Sequence, residues 1–288
     1  MSAQRSAKPH VAIVGAGNLA WALGVALHKA GYEIERIVAR ENASSMRKAR
    51  RLAREVGASA AAVSRAEISA EVAWFCVPDA AIAGAAASLA KATQWKGKIA
   101  LHSSGALTSQ ELAVLRKRGA ALASVHPLMT FVSDSRPSLE NVPFAIEGDP
   151  RALRIARAIV LDLGGKPFAV KPSQKSAYHT WGMFVSPLLT TLLAASEEVA
   201  GLAGVGRKVA RERMLPILRQ TLANYERLGA PRSFSGPIIR GDIETIKKHL
   251  DVLSEIPEAR RAYVALARVA LRKLPTKNRA GLEKILRP

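Results

Sequence analysis

The sequence of 288 residues contains few aromatic side chains, one cysteine and far fewer acidic than basic residues. Aromatic residues make up 5% of the chain and apolar residues 49%, with abundant alanine and leucine, a composition that favours helix. The single cysteine, Cys76, excludes a disulfide framework, so we expect a reducing, cytoplasmic location. The longest apolar stretch, residues 187–195, runs into two glutamates, and the polar first ten residues are unlike a secretory signal. The sequence therefore predicts neither a membrane span nor export.

The excess of positive charge admits two interpretations. Lysine and arginine number 43 against 23 aspartate and glutamate, which gives a formal net charge of +20. Such a charge is typical of nucleic-acid binding, and equally of a solvated surface in a protein that binds small anions. The basic residues are spread along the chain, no nucleic-acid motif is present, and aromatic residues for base stacking are scarce. We therefore predict a small anionic substrate as partner rather than nucleic acid.

The first 171 residues alternate short apolar runs with helical stretches, whereas the remainder has only helical periodicity. This alternation predicts an α/β domain with a doubly wound parallel sheet. The predicted strands are residues 11–14, 34–39, 72–77, 98–101, 121–125, 143–147 and 167–170. The pattern changes at Lys171-Pro172, so we expect a first domain over residues 1–171 and an all-helical domain over 172–288, which serves substrate binding and dimerisation. The helices predicted there cover residues 174–203, 207–227, 243–254 and 257–274.

A glycine-rich turn joins the first predicted strand to the first predicted helix. Gly15, Gly17 and Ala20 form the pattern G-x-G-x-x-A. The first glycine permits a tight turn, the second lets a pyrophosphate approach the backbone, and the alanine keeps helix and strand close. Asn18 and Leu19 open the helix, whose N-terminus faces the anion. The sequence thus predicts a dinucleotide-binding Rossmann domain; the alternative is a turn without a ligand.

The end of the second predicted strand distinguishes the possible cofactors. NAD binders usually carry an acidic residue there, whereas an arginine suits the 2′-phosphate of NADP. Here the strand ends at Ala39 and Arg40 follows, with Ser45 near the start of the next helix. Glu41 weakens the assignment, and the basic residues of this helix are alternatively a solvated face. We predict NADP(H) because Arg40 occupies the discriminating position.

Three polar clusters follow strand ends, where ligands bind in such sheets. Val77, Pro78 and Asp79 end the third predicted strand and are expected beside the nicotinamide ribose. The next two strands end in histidine, and the clusters there are His102-Ser103-Ser104-Gly105 and Ser124-Val125-His126-Pro127-Leu128-Met129. We expect Ser103 to contact the cofactor. A histidine beside serine hydroxyls can shuttle a proton and hold a carbonyl or imine. The alternative is that both histidines only satisfy local backbone groups.

The first helix of the second predicted domain opens with a further polar group. Lys175, Tyr178 and His179 share one helical face because of their spacing. They contact the substrate if the helix crosses the cofactor crevice, and otherwise form an ordinary exposed helix start. Arg240 either binds a substrate carboxylate or pairs with Asp242. We place His126 first as proton donor, with Ser104 orienting the ring or the substrate and with Lys175 or His179 as the rival donors.

The chain resembles, over almost its whole length, the family that joins a Rossmann-like domain to a DUF2520 domain. The resemblance rests on the segments V-G-A-G-N-L-A, C-V-P-D, H-S-S-G-A-L, H-P-L-M-T-F, K-S-A-Y-H and G-P-I-I-R-G-D. More distantly, the chain is similar to pyrroline-5-carboxylate reductase, ketopantoate reductase and prephenate dehydrogenase. These likenesses imply a helical domain like the C-terminal one of 6-phosphogluconate dehydrogenase and a homodimer formed through it. They also suggest that Arg240 reaches the partner's crevice.

The resemblance also bears on individual residues. His126-Pro127 is similar to the Gly-His-Pro segment of prephenate dehydrogenases, whose histidine assists hydride transfer. Lys175 falls near the place of the catalytic lysine of ketopantoate reductases, but those enzymes carry an asparagine four residues later, where this chain has His179. The DUF2520 family commonly has an asparagine further along, where this chain has Ser186-Pro187, a pair expected to bend the helix.

Three functions remain open from the sequence. The first is NADPH-dependent reduction of a small 2-oxo acid or cyclic imine. The second is a dehydrogenase acting on a hydroxy or amino acid. The third is an NADP(H)-binding sensor without catalysis, since the fold does not determine the function.

Overall fold

The computed structural model describes residues 7–133 and 135–287 and divides into two compact units, one up to Ser186 and one from Pro187. The strands of the first unit are β1 Val11–Val14, β2 Ile34–Ala39, β3 Ser59–Ala62, β4 Val72–Phe75, β5 Ile99–His102, β6 Ala121–Pro127, β7 Pro143–Gly148 and β8 Lys166–Ala169. Its helices are α1 Asn18–Lys29, α2 Ala43–Glu55, α3 Asp79–Ala92, α4 Ala113–Arg116, α5 Pro150–Asp162 and α6 Lys175–Val185.

The strands form one sheet in the order β3-β2-β1-β4-β5-β6-β7-β8. The pairs among the first six strands are parallel, β7 runs antiparallel to β6, and β8 is parallel to β7. The predicted α/β class with a Rossmann-like sheet is therefore confirmed. The strand order reverses between β1 and β4, which brings the glycine turn beside the end of β4. This edge of the sheet is the expected ligand site of such a fold.

Alternate residues of the strands feed two apolar layers, one on each face of the sheet. Val11 and Ile13 of β1 pack in one layer, and Ala12 and Val14 pack in the other. All four residues of β1 are buried, as a central parallel strand requires. The continuous apolar runs of the sequence therefore reflect burial on both faces.

One strand was not predicted from the sequence. β3, Ser59–Ala62, pairs with β2 at the edge of the sheet. Its sequence, Ser-Ala-Ala-Ala, lacks the β-branched and aromatic residues that identify strands, because alanine favours helix. Pairing with β2 outweighs this local preference.

The second unit is helical in its described part. Its helices are α7 Pro187–Leu202, α8 Arg207–Ser233, α9 Pro237–Arg240, α10 Ile243–Val252, α11 Pro257–Lys273 and α12 Arg279–Ile285. α8 is interrupted at Gly229, which has a φ of +69°. The stretch predicted as one helix over 174–203 is divided at Ser186, after which Pro187 cannot donate a backbone hydrogen bond. α12 was not predicted.

One described helical stretch, Pro172–Leu202, is long and apolar enough to cross a membrane by length and composition alone. Its most apolar window has a mean hydropathy of 1.2, and 6% of that window is buried. The absence of a membrane span consequently stays a prediction.

Candidate functional site

The glycine turn after β1 combines one crowded position with one open position. Gly15 has a φ of +122°, and its amide donates to the carbonyl of Val38 at 2.7 Å. A Cβ at Gly15 would collide with the carbonyl oxygen of Cys76, so no other residue fits there. A Cβ at Gly17 would meet nothing within 4 Å. Gly17 thus faces space that a ligand can enter, beside the first amides of α1.

A cavity of about 530 Å³ runs from this turn along the end of β2. It contains six predicted cofactor-binding residues, namely Gly15, Gly17, Arg40, Ser45, Val77 and Pro78, and also Lys48. Arg40 is exposed and makes no hydrogen bond or ion pair with a described residue. Glu41, in contrast, accepts a hydrogen bond from Ser64 at 2.9 Å and lies 3.6 Å from Arg65. The carboxylate that weakened the cofactor assignment is therefore engaged elsewhere.

Asn18 and Leu19 begin α1, as predicted. The amide of the Asn18 side chain donates to the carbonyl of Phe131 at 3.3 Å. This bond connects the start of α1 to the segment that follows β6, which the sequence alone did not indicate.

His102 is fully buried and uses both ring nitrogens within its own loop. Nε2 lies 2.9 Å from the carbonyl of Thr108, and Nδ1 accepts from the amide of Ser104 at 3.1 Å. Because a carbonyl only accepts, the proton is on Nε2. Burial lowers the pKa of His102 from 6.5 to about 4. The ring therefore stays neutral and holds the loop, which matches the alternative of a histidine that satisfies the backbone.

Ser103 and Ser104 also make contacts within the fold. The Ser103 hydroxyl accepts from Trp74 Nε1 at 2.8 Å. The Ser104 hydroxyl donates to Asp79 Oδ2 at 2.8 Å and accepts from the amide of Leu107 at 2.9 Å. Ser104 thus fixes the turn, and Asp79 is its partner; the sequence placed both at strand ends but did not predict this contact.

Lys175 is 1% exposed, although it opens α6. Its ammonium donates to the carbonyl of Ser104 at 2.7 Å and to the hydroxyl of Ser124. Burial lowers the pKa of Lys175 from 10.5 to about 8, against the opposing influence of the Glu147 and Asp79 carboxylates. In this structure Lys175 holds strand ends together and is closed to a substrate.

Glu147 is a buried carboxylate that sequence reasoning missed. It lies in β7 opposite Ser124 of β6 and accepts from the amide and the hydroxyl of Ser109 at 2.6 and 3.1 Å. The available signal was a single acidic residue inside an apolar strand. Such a residue is almost never buried unless it is paired.

His126, Tyr178 and His179 meet around Gly105. The Nδ1 atom of His126 lies 2.8 Å from the Tyr178 hydroxyl, and the rings of His126 and His179 are 6.2 Å apart. A Cβ at Gly105 would lie 2.8 Å from His126 Nε2 and 2.6 Å from His179 Cδ2. Position 105 therefore has no room for a side chain, and the missing side chain leaves both imidazoles beside the backbone. The sequence predicted the two imidazoles and the phenol as site residues and placed Gly105 at the end of a polar cluster, but not the contact of Gly105 with both imidazoles.

His126, the first candidate for proton donor, lies in a setting that disfavours its charged form. Burial lowers its pKa from 6.5 to about 4, and the charges of Lys175 and His179 contribute in the same direction. At neutral pH this imidazole is therefore a hydrogen-bonding group rather than a reservoir of protons. Burial raises the pKa of Tyr178, so the phenol stays protonated.

Arg240 lies in the second unit, at the end of α9, and is exposed. Asp242 is the N-cap of α10 and accepts a hydrogen bond from the amide of Thr245 at 3.1 Å. No ion pair between Arg240 and Asp242 is formed in the described chain.

The fold and the site define an α/β protein with a Rossmann-like sheet, a glycine turn at the strand-order reversal, and a following helical unit. Residues 1–127 match the Rossmann-like domain, and residues 142–270 match the domain of unknown function DUF2520. The two matches together span most of the chain, and they confirm the predicted combination of a Rossmann-like domain with a DUF2520 domain. No curated protein matches the chain.

Solved structures share this fold. A candidate NADP oxidoreductase of Bacteroides fragilis is 23% identical, with a TM-score of 0.76 over 91% of this chain and 97% of that one. A Thermotoga maritima protein is 24% identical, with a TM-score of 0.70 over 96% and 100% of the two chains. An imine reductase from Pseudomonas sp. is 21% identical, with a TM-score of 0.65 over 98% and 100%.

Proposed function

We propose that this protein is an NADP(H)-dependent oxidoreductase that reduces a small C=N or C=O compound, with a cyclic imine as the first candidate. The observation that carries the proposal is the open cavity at the strand-order reversal, which the glycine turn and Arg40 both line, with Arg40 bound to none of the residues that the structure describes. In this fold that position binds dinucleotides. The similarity to a candidate NADP oxidoreductase and to an imine reductase supports the same class.

The preference for NADP(H) over NAD(H) rests on the charges at the end of β2. Arg40, Ser45 and Lys48 line the cavity, whereas Glu41 binds Ser64 and does not line it. A guanidinium binds a phosphate through charge-assisted hydrogen bonds, and a carboxylate in the same place would repel it. The free Arg40 therefore favours the cofactor that carries a 2′-phosphate.

A bound nicotinamide dinucleotide would supply hydride transfer. The chain's own contribution is the neutral imidazole of His126, whose tautomer is coupled to the Tyr178 hydroxyl at 2.8 Å. If the phenol donates to Nδ1, Nε2 carries a proton that can be donated to a carbonyl oxygen. If Nδ1 donates to the phenol oxygen, Nε2 accepts from an N–H group. The pair can thus orient either substrate without a change in charge.

The low pKa of His126 favours an imine over a ketone. Reduction of a carbonyl builds negative charge on oxygen and needs a proton donor, whereas a protonated imine arrives with its proton in place. With a pKa of about 4, His126 is almost entirely the neutral imidazole at neutral pH, so the imidazolium that would be a strong proton donor is scarce. A 2-oxo acid would in addition need a cation for its carboxylate, and the ammonium of Lys175 is bound to Ser104 and Ser124. We therefore place the cyclic imine ahead of the 2-oxo acid.

The test is steady-state NADPH oxidation with five- and six-membered cyclic imines and small 2-oxo acids. We expect turnover with imines, and about a hundredfold lower turnover in His126→Asn and Tyr178→Phe at unchanged NADPH affinity. His28→Asn, at an exposed position of α1, is the matched control. NADPH binding without turnover of any substrate would instead support the sensor without catalysis. Turnover only of hydroxy or amino acids, with NADP⁺ as oxidant, would support the dehydrogenase.

We also propose that the protein forms a homodimer through its helical unit. The outer residues of α7 and α8 include exposed large apolar side chains, among them Leu188, Leu192, Ile217, Leu222 and Tyr225. Apolar patches of this extent mark interaction surfaces, and two-fold dimers are the commonest assemblies of soluble chains. We expect sedimentation at micromolar concentration to give a dimer and Ile217→Glu to weaken it; a monomeric wild type would contradict the assignment.

A further inference from the structure

The two edges of the sheet are protected to different degrees. β8, at one end of the strand order, has the sequence Lys-Pro-Phe-Ala. Lysine and proline are residues with which proteins protect an edge strand from pairing with another chain. β3, at the other end, has the sequence Ser-Ala-Ala-Ala and contains neither. The edge at β3 therefore lacks the protection that the opposite edge has.

The register of β3 leaves hydrogen-bonding groups on its outer side. The amide of Val63 donates to the carbonyl of Ala39 at 2.8 Å, next to the last residue pair of the ladder, Ala39 with Ala62. A parallel strand bonds its neighbour through alternate residues, so the backbone groups of Ala60 and Ala62 point away from β2. The carbonyl of Ala62 accepts from the amide of Arg65 at 3.0 Å. The amide and carbonyl of Ala60 and the amide of Ala62 are left for pairing with a further strand.

A groove of about 870 Å³ lies between this edge and α2. On the β3 side it is lined by Ala60, which packs in the same apolar layer as α2. On the α2 side it is lined by Arg47, Arg50 and Arg54. We call the space between these four residues the arginine groove. None of the described residues lines both this groove and the cavity at the end of β2, so the groove is separate from the proposed cofactor site.

The arginine groove carries positive charge that the described chain does not neutralise. Arg47, Arg50 and Arg54 are exposed, and none of them forms an ion pair within residues 7–133 and 135–287. Glu41 is the one carboxylate among the described lining residues, and it accepts a hydrogen bond from Ser64 at 2.9 Å. The three guanidinium groups can therefore bind acidic side chains of a partner.

The spacing of these arginines matches that of side chains along an extended peptide. Arg47, Arg50 and Arg54 are three and four residues apart, so they share one face of α2. Four residues of helix span about 6 Å along the axis. Alternate residues of a β-strand, whose side chains point to the same face, are separated by about 6.7 Å. Acidic side chains at alternate positions of an added strand consequently recur at nearly the spacing of Arg50 and Arg54.

We propose that β3 and the arginine groove bind an extended acidic segment of a partner protein, which adds a strand to the sheet. The backbone of the segment pairs with Ala60 and Ala62, and its alternate carboxylates contact the three arginines. Strand addition takes its affinity from main-chain hydrogen bonds and its specificity from alternate side chains. A second copy of this chain is excluded as the occupant because its net charge of +20 would repel the groove. The proposal does not depend on the oxidoreductase function.

The probe is a labelled peptide of four glutamate-valine repeats, and its binding is measured by fluorescence anisotropy. We expect it to bind the wild type. Binding is expected to be about tenfold weaker when Arg47→Gln, Arg50→Gln and Arg54→Gln are combined, because three exposed ion pairs are lost together. A peptide with lysine in place of glutamate is expected not to bind. Thermal unfolding of each variant checks that the fold is intact.

The matched control removes three positive charges outside the arginine groove. It combines Arg51→Gln, Lys117→Gln and Arg118→Gln, all at exposed positions that do not line the groove. Because distant surface charges are screened by salt, this variant is expected to bind the peptide within about twofold of the wild type. An equal loss of affinity in the two triple variants would show attraction by net charge alone and would overturn the proposal.

Strand pairing is tested with N-methylated peptides, which leave the protein unchanged. Successive amides of a strand point to opposite sides, so methylation of the glutamates and methylation of the valines block different sides. We expect one of these two peptides to bind about tenfold more weakly and the other to keep its affinity. Ala60→Pro removes an outward amide at an edge position where proline is tolerated, and is expected to weaken the unmodified peptide similarly. Equal affinities of the two methylated peptides would contradict an added strand.

Three further results would overturn the proposal. The first is that the glutamate-valine peptide does not bind the wild type at millimolar concentration. The second is competition between the peptide and NADPH, which would place the peptide in the cavity at the end of β2. The third is binding of a single-stranded oligonucleotide through the three arginines without binding of the peptide, which would assign the arginine groove to nucleic acid.

Discussion

The first unit contains two polar regions that differ in how far their hydrogen-bonding groups are already used. At the ends of β5 and β6, Lys175, Glu147 and His102 are buried, and their polar atoms have partners within the protein. Around the glycine turn, Arg40 and Arg136 are exposed beside cavities and pair with no described residue. Because buried polar groups need partners to be tolerated, the first region maintains the fold of the strand ends. The region around the glycine turn keeps charged side chains that are available to bind a ligand.

The largest effect on stability is expected when the buried region loses the ammonium of Lys175. Lys175→Met removes the ammonium that donates to the Ser104 carbonyl and to the Ser124 hydroxyl, and it leaves that carbonyl with the Ser124 hydroxyl as donor. We expect the free energy of unfolding to fall by about 3–5 kcal/mol, because two hydrogen bonds of a buried cation are lost and each is worth about 1.5–3 kcal/mol. Urea denaturation measures it, with the exposed Lys91→Met as control. A loss equal to that of the control would show that Lys175 does not hold the strand ends.

Acid should destabilise the buried region through its histidines. Burial lowers the pKa of His102 and His126 from 6.5 to about 4. Between these pH values the unfolded chain takes up protons that the folded chain does not, so stability falls as the pH drops from 6.5 to 4. The expected loss is roughly 3 kcal/mol per histidine, complete below pH 4.

The acid effect is measured by denaturation at several pH values in the wild type and in His126→Asn. The variant lacks one of the two titrating groups, so its stability should depend less steeply on pH in this window. Identical pH profiles for the two proteins would contradict the low pKa of His126.

A smaller loss of stability is expected when the hydroxyl of Ser103 is removed. Its hydroxyl accepts from Trp74 Nε1, so Ser103→Ala removes one hydrogen bond and leaves the indole donor unpaired. We expect a loss of about 1 kcal/mol in the free energy of unfolding. Calorimetry of NADPH binding to the same variant tests the predicted cofactor contact of Ser103. Unchanged stability would show that the Trp74 contact contributes nothing.

The sequence predicted the exposed region better than the buried one. Gly15, Gly17 and Arg40 are placed by a short stretch of chain between two strands, so spacing alone locates them. The contacts of Lys175 with Ser104 and Ser124 join residues 71 and 51 positions apart, and no local pattern encodes them. The same holds for Trp21 and Arg136, which meet only because the segment after β6 returns to α1. Residue type therefore suggested catalysis for Lys175, whereas its burial indicates a supporting role.

The most direct test of the NADP(H) assignment is a calorimetric titration of NADPH and NADH into the wild type and Arg40→Gln. One charge-assisted contact to the 2′-phosphate is worth about 1.5–3 kcal/mol, or tenfold to a hundredfold in affinity. We predict that the wild type binds NADPH more tightly by that factor, and that Arg40→Gln loses this advantage while its NADH affinity is unchanged. Equal affinities of the wild type for the two cofactors, or an unchanged NADPH affinity in Arg40→Gln, would contradict the account.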